Sequence, residues 1–266
     1  MQNRSAELLF RILDDAYHKY ANSEFIDDDP VQVPHRFITD EDIEIAGFLA
    51  ATIAWGQRKS IVKNANELMA RMDNAPFDFI MNFTQNDYKQ LAGFVHRTFN
   101  ADDLLSFILS LQRLYRNEGG LRAVFVKGYT KTQTIKGAID SFREQFVSDQ
   151  FAARSQKHVA DVTKGSAAKR LNMFLRWMVR TADEGVDFGI WSEIPPAALM
   201  IPLDTHSSRV ARELGLLERS QNDWTAVEQL TENLRCLDPL DPIRFDYALF
   251  GIGIARKEIS NDIYLK

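Results

Sequence analysis

Apolar residues recur at helical spacing along nearly the whole chain, and no β-branched run alternates strictly with polar positions, so the pattern predicts an all-α fold. The predicted helices cover roughly 5–21, 41–54, 58–72, 102–116, 134–148, 156–163, 168–181, 205–214, 223–234 and 242–256, with shorter ones between 76 and 128. Asp40, Asn100 and Asp204 stand where helix caps belong, and Gly215 stands where the helix after Asp204 should stop. Ile26 to Arg36, with its two prolines and aspartate run, reads as a loop.

The helix beginning near Ala168 carries a core stripe of Leu171, Phe174, Leu175 and Met178. On its other side Arg176 and Arg180 fall within about 20° of Lys169, forming a basic face. Taken alone, that face is a solvated one. The preceding residues change its meaning. Ser155 through Gly165-Ser166-Ala167-Ala168-Lys169-Arg170 read as a short helix, a glycine turn and a second helix. Such a turn offers backbone N–H groups and the positive end of a helix dipole to a phosphate. An ammonium is disfavoured at that end, and the neutral amine is a nucleophile.

Composition narrows the function classes. A chain of 266 residues, 45% hydrophobic, can bury one large core or two lobes. No apolar run approaches the roughly eighteen residues of a membrane span, and Met1 to Ser5 lack the layout of a secretory signal, so a cytoplasmic protein with no membrane contact is expected. The lone Cys236 excludes an internal disulfide and any cysteine-rich zinc or iron–sulfur site. Five scattered histidines, with no His-Asp dipeptide, disfavour a histidine metal site and with it a metal-dependent phosphohydrolase. A net charge of −5 argues against indiscriminate coating of nucleic acid. Basic residues nevertheless gather at Arg58-Lys59-Lys63 and at Lys164-Lys169-Arg170-Arg176-Arg180, so a localised basic face is not excluded.

The most specific string runs Ile201-Pro202-Leu203-Asp204-Thr205-His206-Ser207-Ser208-Arg209-Val210-Ala211-Arg212-Glu213-Leu214-Gly215-Leu216. It resembles the motif of the helix-hairpin-helix DNA glycosylase superfamily. Gly165-Ser166-Ala167-Ala168-Lys169 is similar to that family's Gly-x-Gly-x-Lys hairpin, with Ala167 replacing the second glycine. Upstream, Ile45 to Trp55 followed by Gly56-Gln57-Arg58-Lys59-Ser60 resembles the early apolar helix and its glutamine-containing break. The stretch between Lys169 and Asp204 is longer than in most of the superfamily, so Thr181 to Ala198 reads as an insertion. The archaeal 8-oxoguanine glycosylases resemble this layout best.

The resemblance implies a two-lobed helical fold, with 39–185 forming the hairpin-bearing lobe and 1–38 with 186–266 the other. It implies a DNA repair glycosylase that excises a damaged base, an oxidised purine first, with AP-lyase activity in its bifunctional members. Lys169 would be the nucleophile and Asp204 both helix cap and catalytic carboxylate. Gln57, Arg58, Lys59, Lys164, Gly165, Ser166, Ala167 and Arg170 would contact DNA, the basic ones from two sides of one cleft. Gln57 is equally a turn residue, and His206 reads as structural at a helix junction. Trp55 and Trp191 either stack on a flipped base or pack in the core. The chemistry needs no cofactor; a monovalent cation on the hairpin carbonyls is the one ion the resemblance allows. The expected partner is DNA, with no obligate protein partner. A non-catalytic helix-hairpin-helix DNA-binding protein is the alternative, and it requires neither Lys169 nor Asp204.

Overall fold

The computed structural model describes residues 2–22, 24–27, 29–148 and 151–264, and the side chains within them except those of 2–5, 25 and 256–264. Met1 and Asp28, read in the sequence, lie outside the described residues. The chain is all-α, with helices α1 (Gln2–Tyr20), α2 (Glu24–Asp27), α3 (Asp40–Thr52), α4 (Arg58–Arg71), α5 (Pro76–Asn82) and α6 (Tyr88–Leu91). A hairpin of two short strands follows, β1 (Val95–His96) and β2 (Phe99–Asn100), with Val95 opposite Asn100 and His96 opposite Phe99. Next come α7 (Ala101–Asn117), α8 (Gly120–Thr132), α9 (Ile135–Phe146), α10 (Lys169–Val179), α11 (Thr205–Glu213), α12 (Trp224–Leu237) and α13 (Phe245–Tyr264).

The helices end where local chemistry supplies partners. Asn100 caps α7 by accepting from Asp102 N and Asp103 N, while Asp103 returns a bond to the Asn100 N–H. At the end of α11 the Gly215 N–H bonds Arg212 O and the Leu216 N–H bonds Ala211 O, the paired closure of a Schellman turn. The cap of α3 is Thr39, whose hydroxyl accepts from Asp42 N, so Asp40 is a first-turn acid and not the cap. The expected loop over Ile26 to Arg36 contains two 3-10 turns, Pro30–Gln32 and Pro34–Arg36, because prolines pre-set their opening residues.

Two compact units divide the chain. The first comprises 1–25, 165–189 and 195–266; the second comprises 26–164 and 190–194. This division departs from the expected lobes at 26–38, at 165–185 and at 190–194. Val31 and Val33, in the proline turns beside α3 and α4, are fully buried, which draws that stretch into the second unit. Helix α10 joins the first unit through ion pairs described below.

The second unit is centred on phenylalanines. Phe48 of α3 packs on Phe107, Phe142 and Phe146, and Phe125 stacks on Phe142 with ring centres 4.4 Å apart. In the first unit α13 carries both α1 and α11. A Cβ at Gly253 of α13 would lie 3.0 Å from His206 Cβ, so glycine there lets α11 approach closely. His206 faces that junction, with its ring edge-on to Phe250 at 6.3 Å.

Candidate active site

The turn before α10 is bound into the first unit by its backbone. Trp224 N donates to Gly165 O at 3.0 Å, and Ser166 pairs with Asp223 as an isolated antiparallel bridge. Gly165 has φ +84, a left-handed conformation that glycine adopts without penalty. The second left-handed residue is Ala168, φ +47, which caps α10 without a side-chain hydrogen bond. Ala167, which stands for the second glycine of the resembled hairpin, is not among the residues with positive φ. Ala168 Cβ is buried, and Asn172 N and Nδ2 donate to the carbonyls of Ala168 and Ala167.

The expected helix over 156–163 does not form. A 3-10 turn, Ala153–His158, takes up its first three residues, and irregular chain leads on from there to the glycine. Arg143 takes the carbonyls of Gln156 and Val159, while Asp161 accepts from the Thr163 hydroxyl and the Lys164 N–H. Both interactions compete with helical hydrogen bonding. The Thr163 hydroxyl, joined by Lys164, holds Asp161 down to about 2 against its partial burial.

Lys169 opens α10 and Asp204 caps α11, and the fold brings the two together. Asp204 Oδ1 accepts from His206 N and Ser207 N, each at 2.8 Å. Its Oδ2 lies 3.7 Å from Lys169 Nζ. The lysine side chain is 34% exposed and the aspartate 13%, so the amine is reachable while the carboxylate is held from behind.

Beneath this pair lies a buried ion network that sequence reasoning missed. Arg176 and Arg180 are each 4% exposed, so the expected solvated or DNA-facing basic face is corrected. Arg176 Nη1 bonds Asp246 Oδ2 and its Nε donates to Asp187 Oδ1 at 3.3 Å. Arg180 donates to Asp187 at 3.0 Å, Asp241 at 2.9 Å and the Tyr17 hydroxyl at 2.6 Å. Arg176 also lies over the Tyr247 ring, 4.3 Å from its centre. The periodicity placed these arginines on one side correctly; carboxylates from the Thr181–Ala198 insertion and from around α13 cover that side. Burial pushes Asp246 up to about 6 despite Arg176, and Asp204 pushes in the same direction. The signal available in the sequence was one carboxylate in the apolar run Phe245-Asp246-Tyr247-Ala248-Leu249-Phe250.

Arg170 also belongs to the first unit, and its burial lowers it to about 10. The remaining expected site residues lie in the second unit. Gln57 is exposed at the start of α4 and makes no side-chain capping bond. Lys59 is exposed and Arg58 half-buried. Lys164 is 82% exposed, and its Nζ lies 3.2 Å from Asp161. Trp55 is half-buried between His96 and His158, with its ring stacked on that of His158 at 5.7 Å. Trp191 is 0% exposed, donates Nε1–H to Glu44 at 2.8 Å and packs on Phe125. It is a core residue and lines no base pocket. Among the described residues, no three or more His, Cys, Asp or Glu gather as a metal-ligating set, and no helix is long and apolar enough to cross a membrane.

Fold and site thus define an all-α chain with a half-exposed lysine–carboxylate pair set over buried ion pairs. A family profile described as "Protein of unknown function (DUF2400)" matches residues 29–255, and the chain belongs to that family. No curated protein and no solved structure matches it.

Proposed function

We propose that this protein is a DNA glycosylase with AP-lyase activity, acting on a damaged base through Lys169 and Asp204. The observation that carries the reading is the 3.7 Å approach of Asp204 Oδ2 to Lys169 Nζ while Oδ1 is held by two backbone N–H groups. A lysine at a helix start and an aspartate at a helix cap are the two functional positions of the superfamily that the sequence resembles. Their pairing in one unit supports that resemblance independently of the motif strings.

A base in the duplex stack is out of reach, so the nucleotide must first rotate out. Asp204 Oδ2 takes the proton that Lys169 gives up on becoming a nucleophile. The neutral amine attacks sugar C1′, the bond from C1′ to the base breaks, and the base leaves with the electron pair and a proton. The proton that leaves with the base is the one Asp204 took from Lys169, so Asp204 is ionised again as positive charge develops on the sugar and stabilises it. Opening of the sugar ring then gives a Schiff base between Nζ and C1′, from which β-elimination cuts the strand. Every step uses the protein's own side chains.

The test is incubation with duplex and single-stranded oligonucleotides, each carrying one lesion or an abasic site, in the presence of borohydride. Covalent capture of a lesion strand supports the reading and identifies the base. Capture of no strand, abasic DNA included, removes it.

A further inference from the structure

The Lys169–Asp204 pair is not isolated from the charges below it. Ser207, in the first turn of α11, makes two bonds of different origin. Its N–H donates to Asp204 Oδ1 at 2.8 Å, and its hydroxyl donates to Asp246 Oδ1 at 3.5 Å. Ser207 is fully buried and Asp246 is 6% exposed, so neither bond exchanges readily with water. The other Asp246 oxygen holds Arg176. A continuous path therefore runs from Asp204 through Ser207 to Asp246 and Arg176, all within one unit.

Building on the proposed function, we propose that Asp246 is a positioning residue for the Lys169–Asp204 pair, acting through Ser207 and through its own charge. An ionised Asp246 accepts from both the Ser207 hydroxyl and Arg176. Protonated, it turns one of those oxygens into a donor, and one of the two partners must let go or reorient. The first turn of α11, which carries the cap bonds to Asp204, is then less tightly held. Ionised Asp246 also adds a second negative charge that acts on both Asp204 and Lys169.

The groups that face Asp246 decide where this change falls. From α10 they are Arg176 and Lys169, and from the cap of α11 Asp204. Asp187 reaches it through Arg176. Tyr17 of α1 is engaged by Arg180, and Arg244 is turned to Asp14 and Asp238. On α11 itself, His206 lies against Gly253 and Arg209 donates to Gly253 O. Burial outweighs Arg176 and moves Asp246 to about 6.

The experiment is the rate of borohydride capture of abasic DNA against pH, for the wild type, Asp246→Asn and Ser207→Ala. The wild-type rate should step up by about tenfold as pH rises through about 6, the effect of one hydrogen bond to a charged group on a positioned residue. Asp246→Asn should lose the step, and Ser207→Ala should shrink it, with circular dichroism reporting the fold at each pH. A purely structural Asp246 would lower the rate without changing the shape of the profile, and superimposable shapes overturn the proposal. If Asp246→Asn does not fold, the wild-type profile decides, since no inflection between about pH 5 and 7 contradicts it. If no DNA is captured at all, the glycosylase reading fails separately. Reductive labelling of Lys169 with pyridoxal phosphate, followed against pH in the same proteins, then tests Asp246 without DNA. A step near pH 6 that Asp246→Asn abolishes supports the proposal, and identical profiles overturn it.

Discussion

Asp204 divides its carboxylate between two tasks: Oδ1 accepts the His206 and Ser207 N–H groups at 2.8 Å, and Oδ2 stands 3.7 Å from Lys169 Nζ. The division separates stability from chemistry. Asp204→Asn keeps an oxygen that can cap α11 and should leave the denaturant midpoint nearly unchanged while removing most activity. Asp204→Ala should lose activity and about 0.5–2 kcal/mol of stability. Urea melts beside capture assays check both, and normal turnover by Asp204→Asn would reduce the residue to a cap.

Arg176 offers a test of the buried network. Removing its charge leaves Asp187 and Asp246 without their shared partner in a dry site. Arg176→Met should cost about 3–5 kcal/mol, as expected when one member of a buried ion pair is deleted. A change within about 0.5 kcal/mol, typical of surface sites, would mean that the arginine is solvated.

Acid stability should depend on Asp161. Its carboxyl titrates near 2 in the fold against 3.8 for the ordinary group, so its contribution is present above about pH 4 and is lost as pH falls toward 2. Asp161→Asn retains an acceptor for Thr163 and Lys164 but has nothing to titrate. Melting temperatures recorded from pH 5 to about 2 should fall less steeply in the variant. Parallel curves would contradict the assignment.

Salt dependence separates the basic residues. Lys59 is exposed, whereas Lys164 already faces Asp161 at 3.2 Å. On the DNA-binding reading, Lys59→Ala should flatten the slope of log affinity against log salt by up to about 0.9 in duplex DNA, and Lys164→Ala by less. Gln57→Ala should weaken lesion DNA selectively and keep the slope. Salt titrations on matched lesion and undamaged duplexes measure all three, and equal slopes for every variant would deny Lys59 a phosphate contact.

The helices were legible because their apolar spacing is regular, and so were the Asn100 and Asp204 caps, since a side chain that bonds its own helix start needs no distant partner. The Lys169–Asp204 pair was legible from two motif strings. The segment 156–163 was not, because Arg143 and Asp161 redirect its backbone groups, and neither competitor shows in apolar periodicity. Arg176 and Arg180 were placed on the correct side of α10, but periodicity gives a direction and not what lies there. Asp187 lies against both, while Asp246, 70 residues from Arg176, and Asp241, 61 residues from Arg180, each cover one. Trp191 could have stacked on a base or filled a core; the buried acceptor Glu44, 147 residues distant, decides for the core.

The central claim is that Lys169 forms the covalent bond. After borohydride capture on abasic or lesion DNA, proteolysis and mass spectrometry should find the reduced sugar remnant on Lys169. Lys169→Gln should abolish capture while holding affinity for the same DNA within about tenfold, since one charge is lost. An adduct on another residue, or undiminished capture by Lys169→Gln, would contradict the account.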